Sequence, residues 1–193
     1  MTESTCSIFR RAIIAMALLV GISWSSDAQK YSLRTNLIEW GNLGTVNLDA
    51  GMSVSRHFTI SAGCKYNPWK FHTKSGMPVF NNQVTAYAGA RYWPFYTYTG
   101  WWFGANIRYS DFAQTGVIRP KYFTGQSVGA SISAGYAWMI TEHLRIELGA
   151  GLWGGRHLKY EAYRTYDSMD LVDKGPRNFI FLDDVSLALV YVF

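Results

Sequence analysis

The stretch Phe179 to Phe193, FIFLDDVSLALVYVF, constrains the fold more than any other part of the chain. From Val185 it alternates strictly. Val185, Leu187, Leu189, Tyr191 and Phe193 fall on one side, and Ser186, Ala188, Val190 and Val192 on the other. Successive strand residues point to opposite faces, so this is one strand with an apolar and a small or aliphatic face. An amphipathic strand closing on a terminal aromatic reads as the last strand of an outer-membrane β-barrel. Leu187, Leu189, Tyr191 and Phe193 are then the expected signal for the barrel-assembly machinery.

The same period of two recurs upstream. It predicts strands over Tyr31–Trp40, Leu43–Val54, Phe58–Tyr66, Gln83–Trp93, Trp101–Tyr109, Ser127–Trp138 and Leu144–Trp153, which with the closing strand make eight. Pro68, Gly76 and Pro78 mark the connection Asn67–Asn82 as a loop. Ser110–Gly125 and Gly154–Asn178 are the other long connections. With the amino end in the periplasm, all three fall outside the cell and the three periplasmic turns are short, as in bacterial barrels. The first outer connection, Gly41-Asn42, is the short exception. The expected fold is all-β: an eight-stranded antiparallel up-and-down transmembrane β-barrel.

The beginning of the chain reads as a secretory leader. Arg10 and Arg11 precede the apolar run Ala12–Ile22, and Ser26-Asp27-Ala28 supplies small residues for cleavage after Ala28. That run is shorter than the roughly 20 residues of a membrane-spanning helix. Residues 29–193 are expected to form one domain. The formal charge of +5 survives removal of the leader, because Arg10 and Arg11 leave with Glu3 and Asp27. The basic residues are dispersed, so no nucleic-acid partner is expected. Cys6 leaves with the leader and Cys64 remains alone, which excludes an internal disulfide and a Cys/His metal cluster.

Polarity separates a membrane barrel from a secreted lipocalin-like carrier, the soluble alternative with the same strand number. Aromatics are 17% of the chain, yet mean hydropathy is near neutral at −0.04, because apolar residues are dispersed every second position. One face carries Val, Leu, Ile, Ala and Phe, with Tyr66, Tyr92, Trp101, Tyr109, Tyr136, Trp138 and Tyr191 towards strand ends. That is a lipid-facing band between aromatic girdles, with outer-membrane lipid as the first partner. The other face is Ser, Thr, Gly and Asn punctuated by Arg34, Asp49, Lys65, Arg91, Arg108, Arg145, Glu147 and Asp184. Eight strands leave room inside only for side chains, and buried charges must pair. Arg34, Arg91, Arg108 and Arg145 are therefore expected to meet Asp49, Glu147 and Asp184 in a lumenal network rather than to line an anion pore.

The segments Arg34-Thr35-Asn36-Leu37, Gly89-Ala90-Arg91-Tyr92-Trp93, Gly135-Tyr136-Ala137-Trp138 and Val185 to Tyr191 resemble a Bacteroidales family of small outer-membrane barrels whose domain has no known function. The resemblance covers the chain from about Tyr31 to the end. It implies an eight-stranded outer-membrane barrel, sometimes encoded near fimbrial or surface structures, and so a surface or fimbrial protein partner. It supplies no catalytic residues.

The chemistry-bearing residues are few, and no cofactor is expected. A lipid A acyltransferase or deacylase would use His with Ser or Asp near the outer rim. His72 with Ser75, and His157 with Glu161, are the candidates in outer loops, whereas His57 and His143 fall at periplasmic turns. Asp167, Asp170 and Asp173 recur every third residue but lack the Gly turn and terminal Glu of a calcium loop, so a solvated loop is the expected reading. Tyr160, Tyr163, Arg164 and Tyr166 form a candidate surface for a protein or glycan. The leading expectation is a non-enzymatic outer-membrane barrel presenting surface loops, the alternatives being a lipid-modifying enzyme and the soluble carrier.

Overall fold

Antiparallel strands pair edge to edge and return on themselves in the computed structural model, which describes residues 30–72, 78–115, 121–166 and 170–193. The leader positions lie outside the described residues. The strands are β1 (Tyr31–Asn36), β2 (Val46–Ser55), β3 (Phe58–Asn67), β4 (Lys70–His72), β5 (Pro78–Tyr92), β6 (Gly100–Thr115), β7 (Tyr122–Met139), β8 (Leu144–Tyr163), β9 (Leu171–Lys174) and β10 (Arg177–Val192). One short helix, α1 (Leu37–Gly41), follows β1. Consecutive long strands are neighbours, and β1 pairs with both β2 and β10, so eight strands form a closed ring. The short β4 and β9 lie outside that ring, each pairing with one wall strand, β5 and β8 respectively.

The alternation decides which side of each strand faces in. Outward, Ile107 and Ile132 stand 70% and 64% exposed. Inward, Glu147 is 0% exposed and Asp49, Lys65, Ser131 and Ser186 are buried. On β10, Val185, Leu187, Leu189 and Tyr191 face outward, while Ala188, Val190 and Val192 are buried inside.

β1 and β10 close the ring by backbone pairing from Ser32 to Asn36, and the Asn36 side chain extends that pairing at one end. Between Asp183 and Ser186 the register of β10 against β8 slips. Such a bulge leaves backbone groups unpaired. Asn36 takes them: its Oδ1 accepts from Leu187 N at 3.1 Å, and its Nδ2 donates to Val185 O at 3.4 Å. The same side chain caps α1 by accepting from Ile38 N at 3.2 Å. The sequence predicted β1 through to Trp40; instead the chain turns into α1 here, because β10 offers no regular edge beyond Ala188.

The long connections are also corrected. Much of Ser110–Gly125 and Gly154–Asn178 is strand: β6 runs to Thr115, β7 starts at Tyr122, β8 continues to Tyr163 and β10 starts at Arg177. Beyond the apolar band both faces of a hairpin meet polar surroundings, so pairing continues without an alternation to reveal it.

One end of the ring, with the short turns and the carboxyl terminus, is sealed; the other carries the strand extensions. At the turn end Trp93, Tyr98, Trp102, Val190 and Val192 pack inside as an apolar cluster. Tyr98 is held at φ 64, unfavourable for a residue with a Cβ, and this folds its ring back against Trp93 at 5.8 Å. Trp102 fits because Gly149 has no side chain: a Cβ there would lie 2.7 Å from the indole.

Candidate functional site

The interior is layered above the apolar seal. In the middle layer Glu147 Oε2 accepts from Arg34 Nε at 3.1 Å and from Arg91 Nη1 at 3.2 Å. Asp49 is the cross-strand partner of Arg34 in the register of β1 and β2, and it lines the same small space as Arg34, Arg91 and Glu147. Two guanidinium groups thus face two carboxylates, a neutral set in a site where an unpaired charge would be costly. Arg91 also lies over the Trp102 ring at 4.6 Å, which joins this layer to the seal. The spaces left here are about 30 and 10 Å³, room for isolated water and no more.

At the loop end the ring opens into a cavity of about 530 Å³. Its lower wall holds Lys65, Arg108 and Trp153. Lys65 Nζ pairs with Glu39 Oε1 of α1 at 2.7 Å, and Arg108 lies over the rings of Trp153 at 5.0 Å and Tyr87 at 5.8 Å. Its flanks carry amides and hydroxyls, Asn81, Gln83, Gln114 and the bonded pair Thr85–Ser110 (2.7 Å), and rings, Phe112, Phe123 and Phe181.

His157 and Tyr160 complete the wall, and a bulge puts them there. Opposite Gln126 and Ser127 the register of β8 slips past Leu158, so inward positions change parity from His157 to Tyr160 and Ala162. His157 Nδ1 lies 2.6 Å from Ser127 Oγ, and its ring packs on Phe179 at 4.3 Å. Burial, and then the Arg177 guanidinium, hold the imidazole below its ordinary pKa. Arg177 covers the Tyr160 ring at 3.7 Å and pairs through Nη1 with Asp173 at 3.1 Å.

The chain belongs to the DUF3575 family. The match spans residues 13–193, and the family is described as a protein of unknown function. No curated protein and no solved structure matches the chain. The family therefore brings no activity with it, and the site must be read from its own chemistry.

Of the expected lumenal network, Arg34, Arg91, Asp49 and Glu147 come together in the middle layer. Arg145 donates to the backbone carbonyls of Tyr98 at 3.0 Å and Glu142 at 2.8 Å, tying down the turn-end seal, and it also lies within electrostatic reach of Glu147. Lys65 and Arg108 belong to the cavity layer. The side chain of Asp184 lies outside the described residues.

The candidate surface group is divided. Tyr160 is buried in the cavity wall. Tyr163 stacks on Tyr122 at 5.6 Å, and Tyr166 meets the edge of Phe80 at 5.4 Å; Arg164 is exposed. The bulge separates the first from the others.

The expected pair of His157 and Glu161 is not brought together. Glu161 is turned to the other face by the bulge and binds Lys174 at 2.8 Å and the Tyr163 hydroxyl at 2.6 Å. His72 sits exposed on β4, and Ser75 lies outside the described residues. The partner of His157 is Ser127, which is completely buried, so its hydroxyl holds the ring where an acyl carbon has no approach. Asp173 is engaged by Arg177, Asp167 lies outside the described residues, and no group of three metal-ligating residues occurs among those described.

Sequence reasoning missed three contributors: Glu39, Ser127 as the partner of His157, and the seal built on Trp93 and Trp102. Only the last left a signal, a Trp at an inward position of each flanking strand.

Proposed function

We propose that the protein is a non-enzymatic outer-membrane β-barrel that presents its loop end, with the cavity and the strand extensions, outside the cell. The observation that carries this reading is the inverted distribution of polarity. Ile107 and Ile132, among the most exposed side chains, lie mid-wall on the outer face, while the charged groups Glu147 and Asp49 are buried inside. In water such a continuous apolar surface is an aggregation or binding liability; in a bilayer it is the ground state. The apolar stretch from Trp101 to Tyr109 matches the about 9–11 residues with which a tilted strand crosses a membrane. Exposed Tyr66 and Tyr109 at one border, and Tyr92, Trp101, Trp138 and Tyr191 at the other, suit the two interfaces. No helix among the described residues is long and apolar enough to cross a membrane, and a barrel has no need of one.

In this reading Leu187, Leu189, Tyr191 and Phe193 engage the barrel-assembly machinery, and a surface or fimbrial protein meets the extensions. Fractionation followed by electrophoresis with and without boiling tests it. The expected result is outer-membrane protein whose mobility shifts on heating. A soluble protein without a shift overturns it in favour of the carrier. Cys64, exposed on the outer face of β3, gives a second readout. In intact membranes a water-soluble maleimide leaves it unmodified, whereas in a soluble carrier it reacts at once.

A further inference from the structure

Resting on the barrel reading, we infer that the loop-end cavity opens sideways into the outer leaflet between β10 and α1. It binds a single-chain amphiphile, with the polar head in the cavity and the alkyl chain out through the gap.

The gap follows from how the ring closes. β1 ends at Asn36, opposite Ala188, and the Asn36 side chain serves the backbone of β10 only as far as Val185. From Arg177 to Leu182, β10 pairs with β8 on one edge, and no described strand pairs with the other. The element beside β10 at this seam is α1, whose Glu39 lines the cavity.

Leu182 marks the place where the wall is open. It pairs with Leu152, an outward position, and is 73% exposed, yet it lines the cavity together with its inward neighbour Phe181. Every other described strand residue on the cavity wall is turned inward by its register.

The gap lies at lipid depth. The stretch from Leu182 to Tyr191, at the turn-end border, matches the about 9–11 residues with which a tilted strand crosses a bilayer. Its lips are apolar: Ile180 and Leu182 on β10, and Leu37 and Ile38 on α1, are all exposed. Lipid tails cannot satisfy backbone groups, so an open strand edge is tolerated at this depth only where it meets protein or a water-filled cavity. The cavity behind the edge, about 530 Å³ and flanked by Gln83, Gln114 and the bonded pair Thr85–Ser110, meets that need. Water and lipid thus face each other across one strand edge, and the molecule that gains from both is an amphiphile. The volume suits one headgroup, falling within the about 300–1,000 Å³ of small-molecule sites. Below it the space drops to about 30 Å³ and then to the aromatic seal, so the chain has no exit towards the turn end.

The test is photolabelling of the full-length protein in phosphatidylcholine vesicles, with its heat-shifted mobility checked in the same sample. Three probes share a dodecyl chain with a diazirine next to the head and differ in that head: glucoside, carboxylate or trimethylammonium. At least one is expected to label the inward residues Phe112 or Phe181. Its own unlabelled form should compete at least tenfold better than the bare heads glucose, acetate and tetramethylammonium. L182W, which fills the gap, should cut that labelling at least fivefold, whereas I107W, outward on β6 and away from the gap, should leave it unchanged. With the diazirine moved to the chain end, the label should shift to Ile180 or Leu182, a readout that keeps the test valid if L182W fails to assemble. The probe that succeeds assigns the charge of the head. No inward label from any of the three, inward labelling unchanged in L182W, or equal competition by the bare heads overturns the inference and leaves the barrel reading standing. Loss of the heat shift in the wild-type protein overturns the barrel reading itself.

Discussion

The two ends of the ring are finished in opposite ways. At the turn end the strands stop within a few residues of one another, and Trp93, Tyr98 and Trp102 fill the space between them. At the loop end β5 to β8 and β10 run on beyond the apolar band and enclose a polar cavity of about 530 Å³. Between the two lies the neutral layer of Arg34, Arg91, Asp49 and Glu147. Burial at the turn end is apolar and tight, so it stabilises. Polar groups and space at the loop end add less stability, and that is the end with room to hold something else. Rigidity and recognition are thus separated along the axis of the ring.

The largest effect is expected at the layer between the ends. Glu147→Ala leaves two guanidinium groups facing an interior short of one carboxylate, and breaking a buried pair in this way costs about 3–5 kcal/mol. Unfolding in urea from lipid vesicles measures it. A cost under about 1 kcal/mol would mean that water reaches this layer and that the two ends are not separated. Trp102→Ala is expected to follow at about 3–5 kcal/mol for the lost ring and the remaining void. Hydrogen-exchange protection of the loop-end extensions should be unchanged in this variant, and a parallel loss would show that the ends are coupled.

The next contrast compares two outward positions on β6, one inside the band and one beyond it. Ile107→Arg places a charge mid-wall and should cost about 2–4 kcal/mol in a bilayer. Asp111→Arg, on the extension past Tyr109, should cost under about 1 kcal/mol. Equal costs in the same vesicle assay would remove the border drawn at Tyr109.

The smallest effect concerns pH. His157 has a folded pKa below its ordinary 6.5, through burial first and Arg177 second. A depressed imidazole pKa means that the unfolded segment takes up the proton first. The stability His157 contributes is therefore full above the unfolded value, about 6.5, and falls as pH drops through it towards the folded value. Hydrogen exchange of the β8 extension, taken relative to the intrinsic rate at each pH, should quicken slightly as pH falls from 7.5 to 5.5 while the turn end stays protected. In His157→Gln the extra exchange should disappear. The same quickening in that variant would assign the effect to another group.

Much of the wall was legible in the sequence, and for one reason: with one face apolar and the other polar, a period of two fixes direction at every position. This is why Glu147 and Asp49 could be placed inside, and Val185, Leu187, Leu189 and Tyr191 turned outward, from residue order alone. The layered site was only partly legible. Arg34 and Glu147 are 113 positions apart, and their meeting depends on the closing pair β1–β10. Arg145 had the right parity, but its bonds to the Tyr98 and Glu142 carbonyls could not be foreseen, since parity carries no information on height along the axis. Strand ends beyond Tyr109 and Trp153 were invisible, because the alternation vanishes once both faces leave the apolar band.

By itself, then, the sequence determined the strand number of the ring, the in–out assignment of its wall and the polarity of each face, because these follow from local alternation repeated along the chain. The tertiary structure alone decided the rest. Two bulges, at Asp183–Ser186 and opposite Gln126–Ser127, shifted the parity at the loop end, turning Tyr160 inward and Glu161 outward. Helix α1 brought Glu39 over the mouth to Lys65. A bulge is one residue against two on a neighbouring strand, so it exists only as a relation between strands, and no single strand's sequence can encode it.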